Sequence, residues 1–277
     1  MPRSAIASLQ DSRFFPAALA AVAILAMPGL SIAQSNDVPE PFLGTWSGSF
    51  TTQSHEYWGI EDFICFPGCS KAAHDHMVAL LDDPANDDRS VGELMGETSA
   101  YAVSHLLSIL TPLGIEIQKA NLPENDPKLH CQPYGLVRQV MNPLPMSIRR
   151  LGDHLLFQYE EWSLLRTVFL DGRAHPEYLT ESLLGHAVGR IEDGALIIET
   201  AGVVPDRFSD TTQGGYSSEL TAVERYTVHD NPRRLELELT LEDPLILKQP
   251  HVMTKSWLWT PDVELLQDSC GDLPGVY

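Results

Sequence analysis

Basic residues are scarce in this chain. Its 277 residues carry 18 Lys and Arg against 38 Asp and Glu, a formal balance of −20. A surface of that sign repels phosphate backbones and anionic lipid, so nucleic-acid binding is the first class to set aside. The acidity serves solubility, or, functionally, attraction of a cationic substrate or a divalent ion. Long apolar runs are missing as well. The stretch from Pro16 to Met27 is short against the roughly 20 residues that cross a bilayer, so no membrane span is expected. Several chemical signatures are absent: there is no Gly-rich phosphate loop, G-x-S-x-G elbow, H-E-x-x-H or paired C-x-x-C. No cofactor and no metal are therefore expected.

What the N-terminus does contain is the layout of a secretory signal. Arg3 and Arg13 form a positive region, Pro16 to Met27 an apolar one, and Pro28-Gly29 a break before the small residues of Ser31-Ile32-Ala33. Cleavage after Ala33 would leave a periplasmic or secreted chain, 34–277, with 16 basic and 37 acidic residues. Export leads to an oxidising compartment, where the four cysteines are expected as two disulfides with three possible pairings. Cys65 and Cys69 flank Phe66-Pro67-Gly68, a turn that could join them, leaving Cys131 to pair with Cys270. The alternative, a zinc site, fits poorly, because C-x3-C has no second pair.

Hydrophobic periodicity predicts a mainly β chain with a helical insertion. Phe42 to Phe50 reads as a first strand, and its Gly44-Thr45-Trp46 resembles the opening Gly-x-Trp of lipocalin-like barrels. From Ser70 the period becomes helical: Ala73, Met77, Leu80 and Leu81 share one stripe, ended by Pro84. Ser90 and Glu93 form a capping box ahead of a second helix, lined by Val91, Leu94, Met95, Ala102, His105, Leu106 and Ile109 and closed at Pro112 and Gly114. This insertion, about 70–118, could be a lid over a barrel mouth or packing against the outside of the sheet. Residues 119–130 read as loop.

From Gly135 onward the pattern is β. Strands are expected at 135–140, 145–151, 153–160, 164–171, 185–192, 195–200, 217–229, 233–242, 249–260 and 263–267. Tight turns separate them at Gly152-Asp153, Asp171-Gly172, Asp193-Gly194 and Asp230-Asn231-Pro232. Such a succession predicts an antiparallel meander closing into a single lipocalin-like barrel, which leaves no exposed edge.

The densest polar cluster runs from Tyr159 to Arg190. Tyr159-Glu160, Arg166, Asp171 to Pro176, Gly185 to Thr200 and Glu224-Arg225-Tyr226 are similar to a Y-E-Y, D-G-R-x-H-P, G-H-S-V-G-R-W-E-G-D-T-L-V-V-D-T and E-R-Y pattern. That pattern belongs to a large family of uncharacterised bacterial exported proteins. The resemblance extends to Cys131 and Cys270 and departs at Ala187, Ile191, Asp193-Gly194-Ala195 and Glu199. It implies a fold and a disulfide, not an activity.

Read as a site, the cluster offers His175 and His186 as general acid/base with Glu199 setting a tautomer. Tyr159, Arg166, Asp171, Arg173 and Arg190 would then bind ligand, an Arg holding an anionic or enolate oxygen. Read structurally, Asp171 and Arg173 shape a turn, His175 caps it, and Arg190 with Glu199 is a surface pair. The turn at Asp193-Gly194 decides whether His186 and Arg190 face Glu199. A two-residue loop pairs Val188 with Glu199 and Arg190 with Ile197, and a three-residue loop shifts every partner by one. His74-Asp75-His76 is a weaker candidate, since i and i+2 diverge on a helix. His105 reads as a core histidine, and the five Trp as core or pocket lining.

Three functions follow from these readings. They are a pocket for a small, mostly apolar molecule, a cofactor-independent isomerase, hydratase or hydrolase in the same pocket, and an envelope interaction protein using the helical block.

Overall fold

The computed structural model describes residues 40–48, 69–210, 214–231 and 233–266. The leader with its cleavage site, Cys65 and Cys270 lie outside the described residues.

Among the described residues, nine strands close a barrel. They are β1 (Gly44–Ser47), β3 (Met146–Leu151), β4 (His154–Tyr159), β5 (Leu165–Phe169), β6 (His186–Glu192), β7 (Ala195–Ala201), β10 (Thr221–Asp230), β11 (Arg233–Glu242) and β12 (His251–Trp259). They are hydrogen-bonded in that order, and β12 returns to β1 through Trp46 opposite Trp259. The short β2 (Cys69–Ser70) adds to β12, while β8 (Asp206–Asp210) and β9 (Gly214–Tyr216) form a separate hairpin. Alternation drives the burial. On β11, Leu235, Leu237, Leu239 and Leu241 are all buried, while Glu238 between them and Glu242 after them face water.

Eight of the nine seams are antiparallel, as the meander reading expects, but β5 and β6 pair in parallel through Val168–Ala187 and Phe169–Val188. The departure is geometric. A ring with an odd number of strands cannot alternate direction throughout, so one seam must be parallel. The chain makes that seam with residues 170–185, which return along the barrel instead of turning tightly.

Helices close one end. α1 (Lys71–Asp82) and α2 (Val91–Ile109) form as expected, and the Ser90–Glu93 capping box is present in both directions. α2 does not end the helical block: Pro112 is the first residue of α3 (Pro112–Ala120), capped by Thr111. Proline suits that position because its missing N–H has no helical partner there. The block behaves as a cap on the barrel end. Thr111 N–H donates to the Ile246 carbonyl and Lys248 N–H to the Ile109 carbonyl, both in the β11–β12 connection. Leu106, Ile109 and Leu110 join the barrel core.

Three predicted strands need correction. Residues 135–140 are not a strand but α4 (Leu136–Val140), in which Leu136, Val137, Gln139 and Val140 are all buried. Burial on every side erases the periodicity that separates a short helix from a strand. Residues 263–266 carry no strand, because β12 already pairs on both flanks and offers no free edge there. The strand expected at 217–229 starts at Thr221, since Ser217 instead binds the Asp243 carboxylate through its N–H and hydroxyl.

Gly44 shows how tightly the closure is built. Its φ is +121°, and a Cβ there would lie 2.1 Å from the Trp259 ring, which in turn packs edge-on against Trp46 and under Arg233. Gly44→Ala is expected to destabilise by on the order of 2 kcal/mol, from backbone strain and displaced rings. A urea midpoint within error of the parent would refute this.

Candidate site in the barrel interior

A polar network lies inside the barrel near its helix-capped end. Arg166, 2% exposed, points inward from β5. Its two terminal nitrogens grip Glu224 on β10, Nη1 to Oε2 at 2.9 Å and Nη2 to Oε1 at 2.5 Å. Nη2 also donates to Thr200 Oγ1 on β7 at 2.6 Å, and the Tyr226 hydroxyl donates to Glu224 Oε2 at 2.8 Å. β5 and β10 are not neighbours, so this ion pair reaches past β6 and β7. Small residues on β6 make room: Ala187 faces inward, and a Cβ on Gly189 would meet Val168 at 2.8 Å.

Rings continue the seam. Phe157 lies between Tyr159 and Tyr226, with centroids 6.4 and 5.9 Å away, and Tyr226 packs on Trp257 at 6.2 Å. Lys255 Nζ sits 4.2 Å from the centre of the Trp257 ring. It donates to the Val140 carbonyl at 3.2 Å and to the Asn142 carbonyl, tying the C-terminal end of α4 to β12. Burial moves these groups away from their charged forms. It lifts the Tyr159 hydroxyl to about 12 and raises Tyr226 further, and it carries Lys255 well below the usual ammonium range. Arg166 goes the other way: burial would lower it, but the adjacent Glu224 carboxylate holds its proton more firmly.

The interior is rich in unmatched hydrogen-bonding capacity. Among the described residues, Trp257 Nε1, both amide atoms of Gln139 and both ring nitrogens of His251 are buried without a partner, while the Tyr159 hydroxyl faces the Arg166 guanidinium. The unpartnered atoms belong to β12 and α4. His251 faces inward at the start of β12, near His105 of α2, and burial drives its imidazole down to about 4.

The remaining predicted site residues lie on the outer face. The two-residue turn is the one observed: Asp193 and Gly194 both have positive φ, with Val188 opposite Glu199 and Arg190 opposite Ile197. His186, Arg190 and Glu199 are thereby assembled, but outside the barrel. Arg190 bridges Glu199 and Glu192 with both partners substantially exposed, an arrangement worth under about 1 kcal/mol. His186 stacks on Phe169 and shares a hydrogen at 2.8 Å with His175, Nδ1 to Nδ1. Partial burial, then His175 and Arg173, lower the His186 pKa. Asp171 grips Arg173 and is held down to about 2 by that contact, while the Arg173 guanidinium lies over Phe169. Of the predicted set, Tyr159 and Arg166 alone reach the interior network.

Glu224, Tyr226, Thr200, Lys255, Gln139 and His251 complete the interior and were not among the predicted site residues. A signal existed. Glu224 alternates with Ala222 and Tyr226, and Lys255 with Met253 and Trp257, so each puts a charge on an otherwise apolar strand face. Cys69 and Cys131 are both disulfide-bonded, so neither is a free thiol. Their expected partners Cys65 and Cys270 lie outside the described residues. Among the described residues no cluster of three metal-donating side chains occurs, and no helix is long and apolar enough to cross a membrane. In His74-Asp75-His76, Asp75 pairs with Lys71 and His76 stacks on Tyr101. Comparison with known proteins finds no matching family model, curated protein or solved structure.

Proposed function

We propose that this protein binds a small molecule with an apolar body and one polar end, held in the barrel interior beneath the helical cap. The observation that carries this reading is the set of polar atoms on Trp257, Gln139 and His251 that are unpaired among the described residues. Each buried group left without a partner costs roughly 1–3 kcal/mol, so a set this dense points to an external partner that fills it. The aromatic rings of Phe157, Tyr226 and Trp257 supply apolar surface beside those atoms. Residence in the periplasm or outside the cell, after cleavage behind Ala33, belongs to the same proposal. The resemblance to exported bacterial proteins supports it.

The test is native mass spectrometry of the protein, exported and purified without detergent, followed by thermal unfolding against a panel of lipophiles. The expected results are an N-terminus at Gln34 and a co-purified organic mass. A lipophile at a hundred times its Kd should also stabilise the fold by about 2.7 kcal/mol. A clean apo mass together with an unmoved melting temperature across the panel would mean that ordered water fills the interior, and the proposal would fall.

A further inference from the structure

Among the described residues, the charges facing the barrel interior do not balance. Arg166 is neutralised by Glu224, but the described groups around the ammonium of Lys255, 7% exposed, are carbonyl oxygens and the Trp257 ring. The other buried carboxylates are engaged elsewhere. Glu161 pairs with Lys128 and accepts from Asn142, and Asp243 accepts from Ser217 and from the Leu245 and Ile246 N–H groups. A buried ammonium without a counter-ion is a costly feature of a fold. One unmatched group lies beside it: Trp257 Nε1–H, on the ring that Lys255 packs against, can only donate.

Resting on the reading of the interior as a binding site, we propose that the ligand ends in a carboxylate and that Lys255 is its counter-ion. A carboxylate is acceptor-only, so it can accept from the Lys255 ammonium and from Trp257 Nε1–H, and it supplies a negative charge for Lys255. A neutral carbonyl or an alcohol would answer Trp257 and leave Lys255 uncompensated. Burial favours loss of the Lys255 proton in the free protein, and a carboxylate beside it favours retention. Binding of the acid is therefore coupled to proton uptake. The ligand class is an apolar-tailed acid, and its headgroup would compete for Lys255 with the Val140 carbonyl at the end of α4 and the Asn142 carbonyl just beyond it.

Titration calorimetry with dodecanoate, methyl dodecanoate and 1-dodecanol, in two buffers of different protonation enthalpy, tests this on the whole protein. Dodecanoate is expected to bind about tenfold or more tighter than the ester and the alcohol, with net proton uptake. Lys255→Met should remove that preference, bringing dodecanoate down to the level of the ester in the same variant, and Lys255→Arg should keep it. Should Lys255→Met fail to fold, Trp257→Phe serves instead. It removes the indole N–H, which has no partner among the described residues, and should weaken dodecanoate severalfold more than the ester. Equal binding of acid and ester by the parent would overturn the carboxylate assignment and leave the binding function standing. No binding of any of the three, with no co-purified ligand, would remove both.

Discussion

Glu224→Gln is expected to destabilise the protein by about 3–5 kcal/mol, because it leaves the Arg166 guanidinium buried without its anion. In a domain of this size, that corresponds to a fall in melting temperature on the order of 10 °C. The amide keeps the size of the carboxylate, so the loss reports charge and hydrogen bonding rather than a cavity. The nitrogen it introduces also faces the Arg166 donors, which cannot accept. A double variant, Arg166→Met with Glu224→Leu, separates the cost of breaking the pair from the worth of having it. Removing both charges is expected to return most of the lost stability, since a buried ion pair barely repays its desolvation. Thermal and urea unfolding of the three proteins checks both statements. A Glu224→Gln protein within 1 kcal/mol of the parent would show that water reaches the pair and that the interior is not sealed.

His251 sets the second large effect, and its direction follows from linkage. Burial holds the imidazole at about 4 in the folded protein, while the unfolded chain takes the ordinary value near 6.5. Between those values the unfolded state binds more protons, so stability falls as pH drops from about 6.5 to about 4. The loss over that window is about 3 kcal/mol at most. His251→Met should flatten this part of the pH–stability curve while leaving the curve above pH 7 little changed, because neither ring nitrogen has a partner to lose. Carboxylates such as Asp126, held low by Arg138 against the opposing effect of burial, titrate in both proteins and cancel in the difference. Parallel curves for parent and variant would mean that His251 is hydrated or finds a partner on binding.

Much of the barrel was legible because its determinants are local. The strict alternation from Leu235 to Leu241, the Asp-Gly turn at 193–194 and the Ser90–Glu93 box each involve residues close in sequence, whose geometry the backbone dictates. The same locality explains the errors. Pro112 reads as a stop or a start depending on whether a helix follows, and the buried run at 136–140 has the composition of a strand. The site was less legible still. The motif-rich stretch from Asp171 to Arg190 drew attention because its polar residues are consecutive, yet most of them coat the outer face. Glu224 and Lys255 stand alone among apolar neighbours in sequence, and their importance lies in what they meet across the interior.

By itself, then, the amino-acid order determined which residues share a face on each alternating strand, the tight turns such as Asp193-Gly194, and that the chain is mainly β with a helical insertion. These are consequences of side-chain period and turn chemistry. Tertiary structure alone decided that nine strands close the ring, and closing an odd number forces the parallel seam between β5 and β6. It also decided that Arg166 finds Glu224 past two intervening strands, and that Lys255 finds none of the described carboxylates. Such partners are separated by tens of residues of chain, and only the closed barrel sets the distance between them.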